Sequence, residues 1–207
     1  MSDVPGTLGK VAEHYAESLQ QHGAAPKGVG WGTDADHRLR FEKLTEVLRP
    51  VSGSFTVNDL GCGYAALFDY MVTEGLPFSG YRGHDISANM LVAARARVRD
   101  ARATFSEAGQ LDERADYSFA SGIFNVRFKE DDAAWRDYIL TTLGNMNHFS
   151  ERGFAFNLLS SYVDWKEEHL FYAEPCFFFD HCKRHFSRRV SLLHDTPLYE
   201  WTIVVRK

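Results

Sequence analysis

Between residues 55 and 159, short apolar runs alternate with longer helical stretches, and this limits the chain to few architectures. Strand-like runs occupy 55–60, 81–85, 103–107, 117–121 and 154–159, and helical patterns fill 65–73, 87–100 and 132–145. Each link is long enough to carry the chain across a sheet face. The strands therefore lie parallel, with helices on both faces. The C-terminus breaks the pattern. After a helix at 175–185, two strand-like runs, "RRVSLLHD" and "LYEWTIVVRK", are joined by a short turn at 196–197. So short a link cannot make a parallel crossover, so the pair is antiparallel. The expected fold is α/β, a single doubly wound and mostly parallel seven-stranded sheet with a C-terminal antiparallel strand pair.

The first third of the chain is different. A short helix is expected at 10–21, then the turn-rich "HGAAPKGVGWGTDAD". Thr33 or Asp34 can cap a helix over 35–49, which Pro50 helps to end. We divide the chain into an N-terminal helix and lid-like segment, 1–34, and a Rossmann-like domain, 35–207.

The first strand ends in "VNDLGCGYAAL". Ligands of open parallel sheets sit beyond the carboxyl ends of the strands. Gly61 and Gly63 lie there, where glycine admits unusual dihedrals and close approach to the main chain. A second acid, Asp85, ends the next strand in "YRGHDIS", where it can accept hydrogen bonds from a ribose diol. Two nucleotide-type ligands suit this arrangement. "GCGYAA" satisfies the loose dinucleotide pattern. Three features favour S-adenosylmethionine. Asp59 stands two residues before Gly61 and can face the amino end of a methionine moiety. Too little chain remains for the substrate domain of a dehydrogenase. The terminal antiparallel pair is what a methyltransferase sheet adds.

On these motifs the chain resembles a class I (Rossmann-like) S-adenosylmethionine-dependent methyltransferase over roughly residues 35–207. "NDLGCGYA" resembles the family's glycine motif, with Ala65 where a third glycine is common. "GHDIS" resembles the ribose-acid motif, "FSEAGQL" the adenine-side segment, and "DYSFASGIFN" the fourth strand with its following loop. The N- and C-terminal segments resemble bacterial small-molecule methyltransferases. The resemblance implies transfer of a methyl group to O or N of a small metabolite, S-adenosylhomocysteine being the product. It implies cofactor contacts from Tyr15, Arg40, Asp59, Gly61, Cys62, Gly63, Asp85, Ile86, Gln110, Leu111 and Ser121. Gln110 stands where many members have an acid, and Arg40 would pair with the methionine carboxylate. Cys62 is a small filler of the turn rather than a nucleophile.

Methyl transfer is a direct displacement, so alignment and a proton sink are what the protein supplies. Asn125 and His169 are the candidate catalytic groups, His169 because its reference pKa lies near neutrality. Trp31, Phe124, Arg127, Tyr162 and Tyr172 are candidate substrate contacts, Arg127 for an anionic group. His181 and His185 stand four apart beside Cys182, but no matching ligand set accompanies them, so no metal is expected.

The chain of 207 residues carries 28 acidic and 23 basic side chains, a net charge of −5 that speaks against a nucleic-acid partner. No apolar window reaches the roughly 18 residues of a membrane span. The N-terminus lacks the basic and apolar regions of a signal peptide. Three cysteines, Cys62, Cys176 and Cys182, suit reduced thiols in the cytoplasm. The rival readings are a protein or RNA methyltransferase and a non-catalytic binding module of the same fold.

Overall fold

The computed structural model describes residues 3–25, 28, 32–50 and 53–207. Seven strands form one sheet in the order β3-β2-β1-β4-β5-β7-β6. They are β1 (Phe55–Leu60), β2 (Phe78–Asp85), β3 (Ala103–Glu107), β4 (Ala115–Ala120), β5 (Ser150–Leu159), β6 (Arg189–Leu193) and β7 (Glu200–Arg206). The pairs among β1–β5 are parallel, and β7 runs antiparallel to both β5 and β6. The expected class and the terminal antiparallel pair are both present. The order reverses between β1 and β4, which places a topological switch point beside the glycine turn.

Among the described residues, helices α1 (Val4–His22) and α2 (Asp34–Thr45) precede β1, and α3 (Ala66–Thr73), α4 (Ala88–Arg97), α5 (Asp132–Phe149) and α6 (Pro175–His185) lie between strands. Side-chain alternation on the strands feeds two cores. Val57, Tyr81, Phe119, Ala155 and Val204 pack with α2, α3 and α4 on one face. Phe154, Phe156, Leu158, Ile203 and Val205 pack with α5 and α6 on the other.

Helix α1 begins six residues earlier than its apolar spacing suggests. The Asp3 carboxylate accepts from the Gly6 amide and so caps the helix, with a proline in the first turn. Helix α2 starts at a capping box in which Thr33 and Asp36 satisfy each other's amides. Helix α5 runs four residues past its expected end because Met146, in its last turn, is buried. Met146 is core, and the Asn145 carboxamide brackets Leu111, accepting from its amide at 2.9 Å and donating to its carbonyl at 3.0 Å.

Candidate active site

The turn after β1 is held by the end of β2. The Gly61 and Cys62 amides both donate to the His84 carbonyl, at 2.7 and 3.0 Å. The Gly63 amide donates to Asp85 Oδ2 at 2.8 Å, and the Ser87 amide donates to Oδ1 at 2.8 Å. Gly61 has φ +72°, and a Cβ there would lie 2.0 Å from Ile123 Cγ2. The backbone is left-handed again at Gly63, φ +53°, and, four residues after Gly61, at Ala65, φ +66°. Ala65 precedes α3 without a side-chain cap, so the first amides of that helix are left for a partner outside it.

Behind this turn lies a cavity bounded by the ends of β1, β2 and β4. Asp59, the glycine turn, Asp85, Ile86, Gly109, Ser121 and Ile123 line its floor and sides. Helix α1 roofs it with Leu8, Val11, Ala12 and Tyr15, and α2 adds His37 and Phe41. The start of α1 is tied to the segment before α5. Glu130 Oε2 accepts from the Asp3 amide at 2.9 Å and from Thr7 Oγ1 at 3.3 Å.

The cavity is electrostatically one-sided. Asp59 is 2 % exposed, and burial pushes its carboxyl up to about 7, against the hydrogen bond from the Tyr81 hydroxyl at 2.5 Å. Burial also raises Asp85, opposed by the amide bonds it accepts. Among the described residues no lysine or arginine lines the cavity. His37 stays neutral, because burial and then the charge of Arg40 push its imidazole down to about 4. Burial, with Asp85 and Glu200 nearby, pushes the Tyr15 phenol up to about 12, so it remains a donor. Two carboxylates without a cation form a well for a positively charged ligand. Ser121 Oγ is buried with no hydrogen-bond partner among the described residues, which leaves a polar atom for a ligand to satisfy.

No protein-family model matches the chain. Among solved structures, magnesium protoporphyrin IX methyltransferase (ChlM) from Synechocystis PCC 6803, with bound SAM, superposes with a TM-score of 0.69. It is 13% identical, over 97% of this chain and 97% of that one. The DhpI–SAH complex gives 0.68 at 14% identity, with 97% of each chain covered. These likenesses establish the fold. A protein of Mycobacterium tuberculosis (strain ATCC 25618 / H37Rv), "Putative methyltransferase Rv1506c", is 51% identical over 156 residues, 74% of this chain and 93% of that one. The chain belongs to the methyltransferases.

The methyltransferase brings Tyr15, Asp59, Gly61, Cys62, Gly63, Asp85, Ile86 and Ser121 together around one cavity. Cys62 fills space there. Its sulfur would lie 2.8 Å from a Cβ on Gly83, and burial holds its thiol well above the ordinary range, so it stays protonated.

Other expected contacts lie elsewhere. Arg40 is turned into the protein, where its Nε bridges both oxygens of Glu200 at 2.8 and 2.9 Å. Gln110 is exposed, and the Leu111 amide is already bound to Asn145; neither residue lines the cavity. Phe124 is core, its carbonyl accepting from Trp135 Nε1. Asn125 Oδ1 accepts from the Leu159 amide at 3.2 Å, stapling the loop to β5. Arg127 spends its guanidinium on Asp132 and on the Phe128 and Glu130 carbonyls. His169 is exposed and contributes its backbone carbonyl to the Arg127 and Phe128 amides. Tyr162 is 65% exposed, and the Tyr172 hydroxyl accepts from the Glu167 amide. Trp31 lies outside the described residues.

His37 and Phe41, which do line the cavity, went unassigned in the sequence. Their signal was there: with Arg40 they recur at three- and four-residue spacing on one face of α2. Among the described residues no group of histidine, cysteine and acidic side chains is arranged to hold a metal. No described helix is long and apolar enough to cross a membrane.

Proposed function

We propose that the methyltransferase takes S-adenosylmethionine as methyl donor and methylates O or N of a small metabolite. The observation that carries the donor assignment is the pair of buried carboxylates, Asp59 and Asp85, in a cavity whose described lining has no cationic side chain. A dinucleotide would bring an anionic pyrophosphate into that field, whereas a sulfonium and an ammonium are attracted to it. In this reading Asp59 faces the amino end of methionine and Asp85 the ribose hydroxyls. The uncapped amides of α3 serve the carboxylate, and Ala108 and Gly109 flank the base. When bound, the donor supplies a sulfonium-activated methyl carbon. The chain's own part is to align the acceptor and keep water out.

The size limit on the acceptor comes from α1. Its apolar face roofs the cavity, so the acceptor must fit beneath a helix rather than against an open surface. A local segment of this kind, latched through Glu130, suits a cover that closes over each turnover. Titration calorimetry with S-adenosylmethionine, S-adenosylhomocysteine and NADH tests the donor. NADH binding without S-adenosylmethionine binding sinks it. A metabolite extract incubated with labelled donor then tests the acceptor, since the label should appear in a small molecule and not in protein or RNA.

Two substitution experiments follow. Asp85→Ala should weaken donor binding by ~1.5–3 kcal/mol, the scale of hydrogen bonds to a charged group. An unchanged dissociation constant in a folded variant would assign Asp85 solely to bracing the glycine turn. Removing residues 1–32 should leave a folded sheet, lower-melting because Val4 and Leu8 pack on the second core, with turnover strongly reduced. Circular dichroism and an activity assay decide this. A native melt with full activity refutes the cover, and an unfolded product makes the segment a structural strap.

A further inference from the structure

A buried chain of polar contacts leads from α2 to the loop after β4. Arg40 and Glu200 form an ion pair with Nη2–Oε1 at 2.7 Å and side-chain exposures of 9% and 5%. Glu200 Oε2 also accepts from Asn157 Nδ2 at 2.8 Å. Asn157 Oδ1 accepts in turn from the Gly122 amide at 2.7 Å. Asn157 is 1% exposed. Gly122 sits between Ser121 and Ile123, all three lining the cavity, and its own φ is +72°. Ile123 occupies the space that a Cβ on Gly61 would need. A shift of this loop therefore moves both the Ser121 hydroxyl and the wall against which the glycine turn packs.

We propose that Glu200, clamped by Arg40, is a positioning residue that holds the Ser121–Ile123 loop against the glycine turn through Asn157. The proposal deepens the donor-binding reading above and rests on it for its effect on affinity. The ends of the chain fix the polarity of its middle. Arg40 presents only donors, so Glu200 must present acceptors toward it. The Glu200 oxygen then dictates that Asn157 turns its NH2 inward and its carbonyl toward Gly122. An amide at 200 breaks this order. One face of Gln would set its NH2 against either Arg40 or the Asn157 NH2, and rescue by rotating Asn157 would aim a donor at the Gly122 N–H. Surrounding side chains bury the whole path, so water does not readily replace a missing link.

The test uses the full chain and two readouts. Hydrogen exchange of the Gly122 amide is measured without ligand, and S-adenosylhomocysteine binding is measured by calorimetry. The variants are Asn157→Ala, Glu200→Gln and Glu200→Asp. The last retains the negative charge opposite Arg40 while shortening the side chain by one methylene and so drawing the carboxylate back from Asn157. Val205→Ala, a core cavity on the opposite face of β7, controls for lost stability. Exchange at Gly122 should quicken ~10-fold or more in all three relay variants beyond the control, and the dissociation constant should rise ~10-fold, one hydrogen bond's worth. Native-like protection in Asn157→Ala overturns the proposal. Loss of protection in Asn157→Ala, with protection kept in both Glu200 variants, also overturns it, because Asn157 would then act alone. If native protein binds no S-adenosylhomocysteine, the donor reading fails, while the exchange rates still judge the relay.

Discussion

Asp59→Asn should stabilise the ligand-free protein by ~2–4 kcal/mol at pH 8 and by much less near pH 5. The Asp59 carboxyl is raised from 3.8 to about 7, first by burial, with the Tyr81 hydrogen bond opposing and Asp85 adding to it. Between those two values the native state holds a proton that the unfolded chain has released. The unfolded state therefore binds fewer protons, and stability falls as pH rises through that window. At about 1.4 kcal/mol per pKa unit, the full span is worth roughly 4 kcal/mol. Asparagine has no charge to bury, and its oxygen still accepts from Tyr81. Urea unfolding at pH 5 and pH 8 measures the difference directly. Parallel pH curves for the two proteins would show that Asp59 does not carry this cost. In the proposed pose the same change removes the carboxylate facing the ammonium, so stability rises as donor affinity falls.

Gly61→Ala should cost ~2–5 kcal/mol and abolish donor binding. Two penalties add. A left-handed backbone at φ +72° costs a residue with a Cβ about 1–2 kcal/mol. The new methyl would stand 2.0 Å from Ile123 Cγ2, and forcing extra volume into a packed site costs about 1–3 kcal/mol. The second penalty is separable. Adding Ile123→Ala should return that part and leave the backbone part, so a double-mutant cycle should show coupling between the two positions of ~1 kcal/mol or more. A loss below ~0.5 kcal/mol for Gly61→Ala would mean that the turn adjusts freely, against the tight contact seen here.

The elements that could be read in the sequence are those whose signal is local. The strands announced themselves by apolar runs, and Gly61, Gly63 and Asp85 by their places at strand ends. The start of α1 was hidden because Gly6 and Gly9 look like loop residues until Asp3 is seen capping the helix at the Gly6 amide. Arg40 was the instructive case. Its position on α2 was right, but its partner Glu200 lies 160 residues away, and no spacing rule connects them. The loop residue Asn125 was drawn to Leu159, 34 residues on, for the same reason, whereas Arg127 is held locally by the Phe128 and Glu130 carbonyls and by Asp132. Local patterns gave the floor of the cavity, and long-range pairing decided which polar side chains remained to face it.

The position of β7 bears on how the chain is made. The final strand in sequence is not an edge; it is inserted between β5 and β6. During synthesis, β5 and β6 cannot be bridged until β7, which follows both in the chain, has emerged, and Glu200 emerges with it. Until then Arg40 has no carboxylate at its side from β7, and α2 cannot bury that guanidinium without a large desolvation cost. The nascent chain is thus kept from closing its β5 side early. A ribosome-stalled or C-terminally clipped product would present an open β5 edge and an exposed α2 face, the features that quality-control proteases and chaperones recognise.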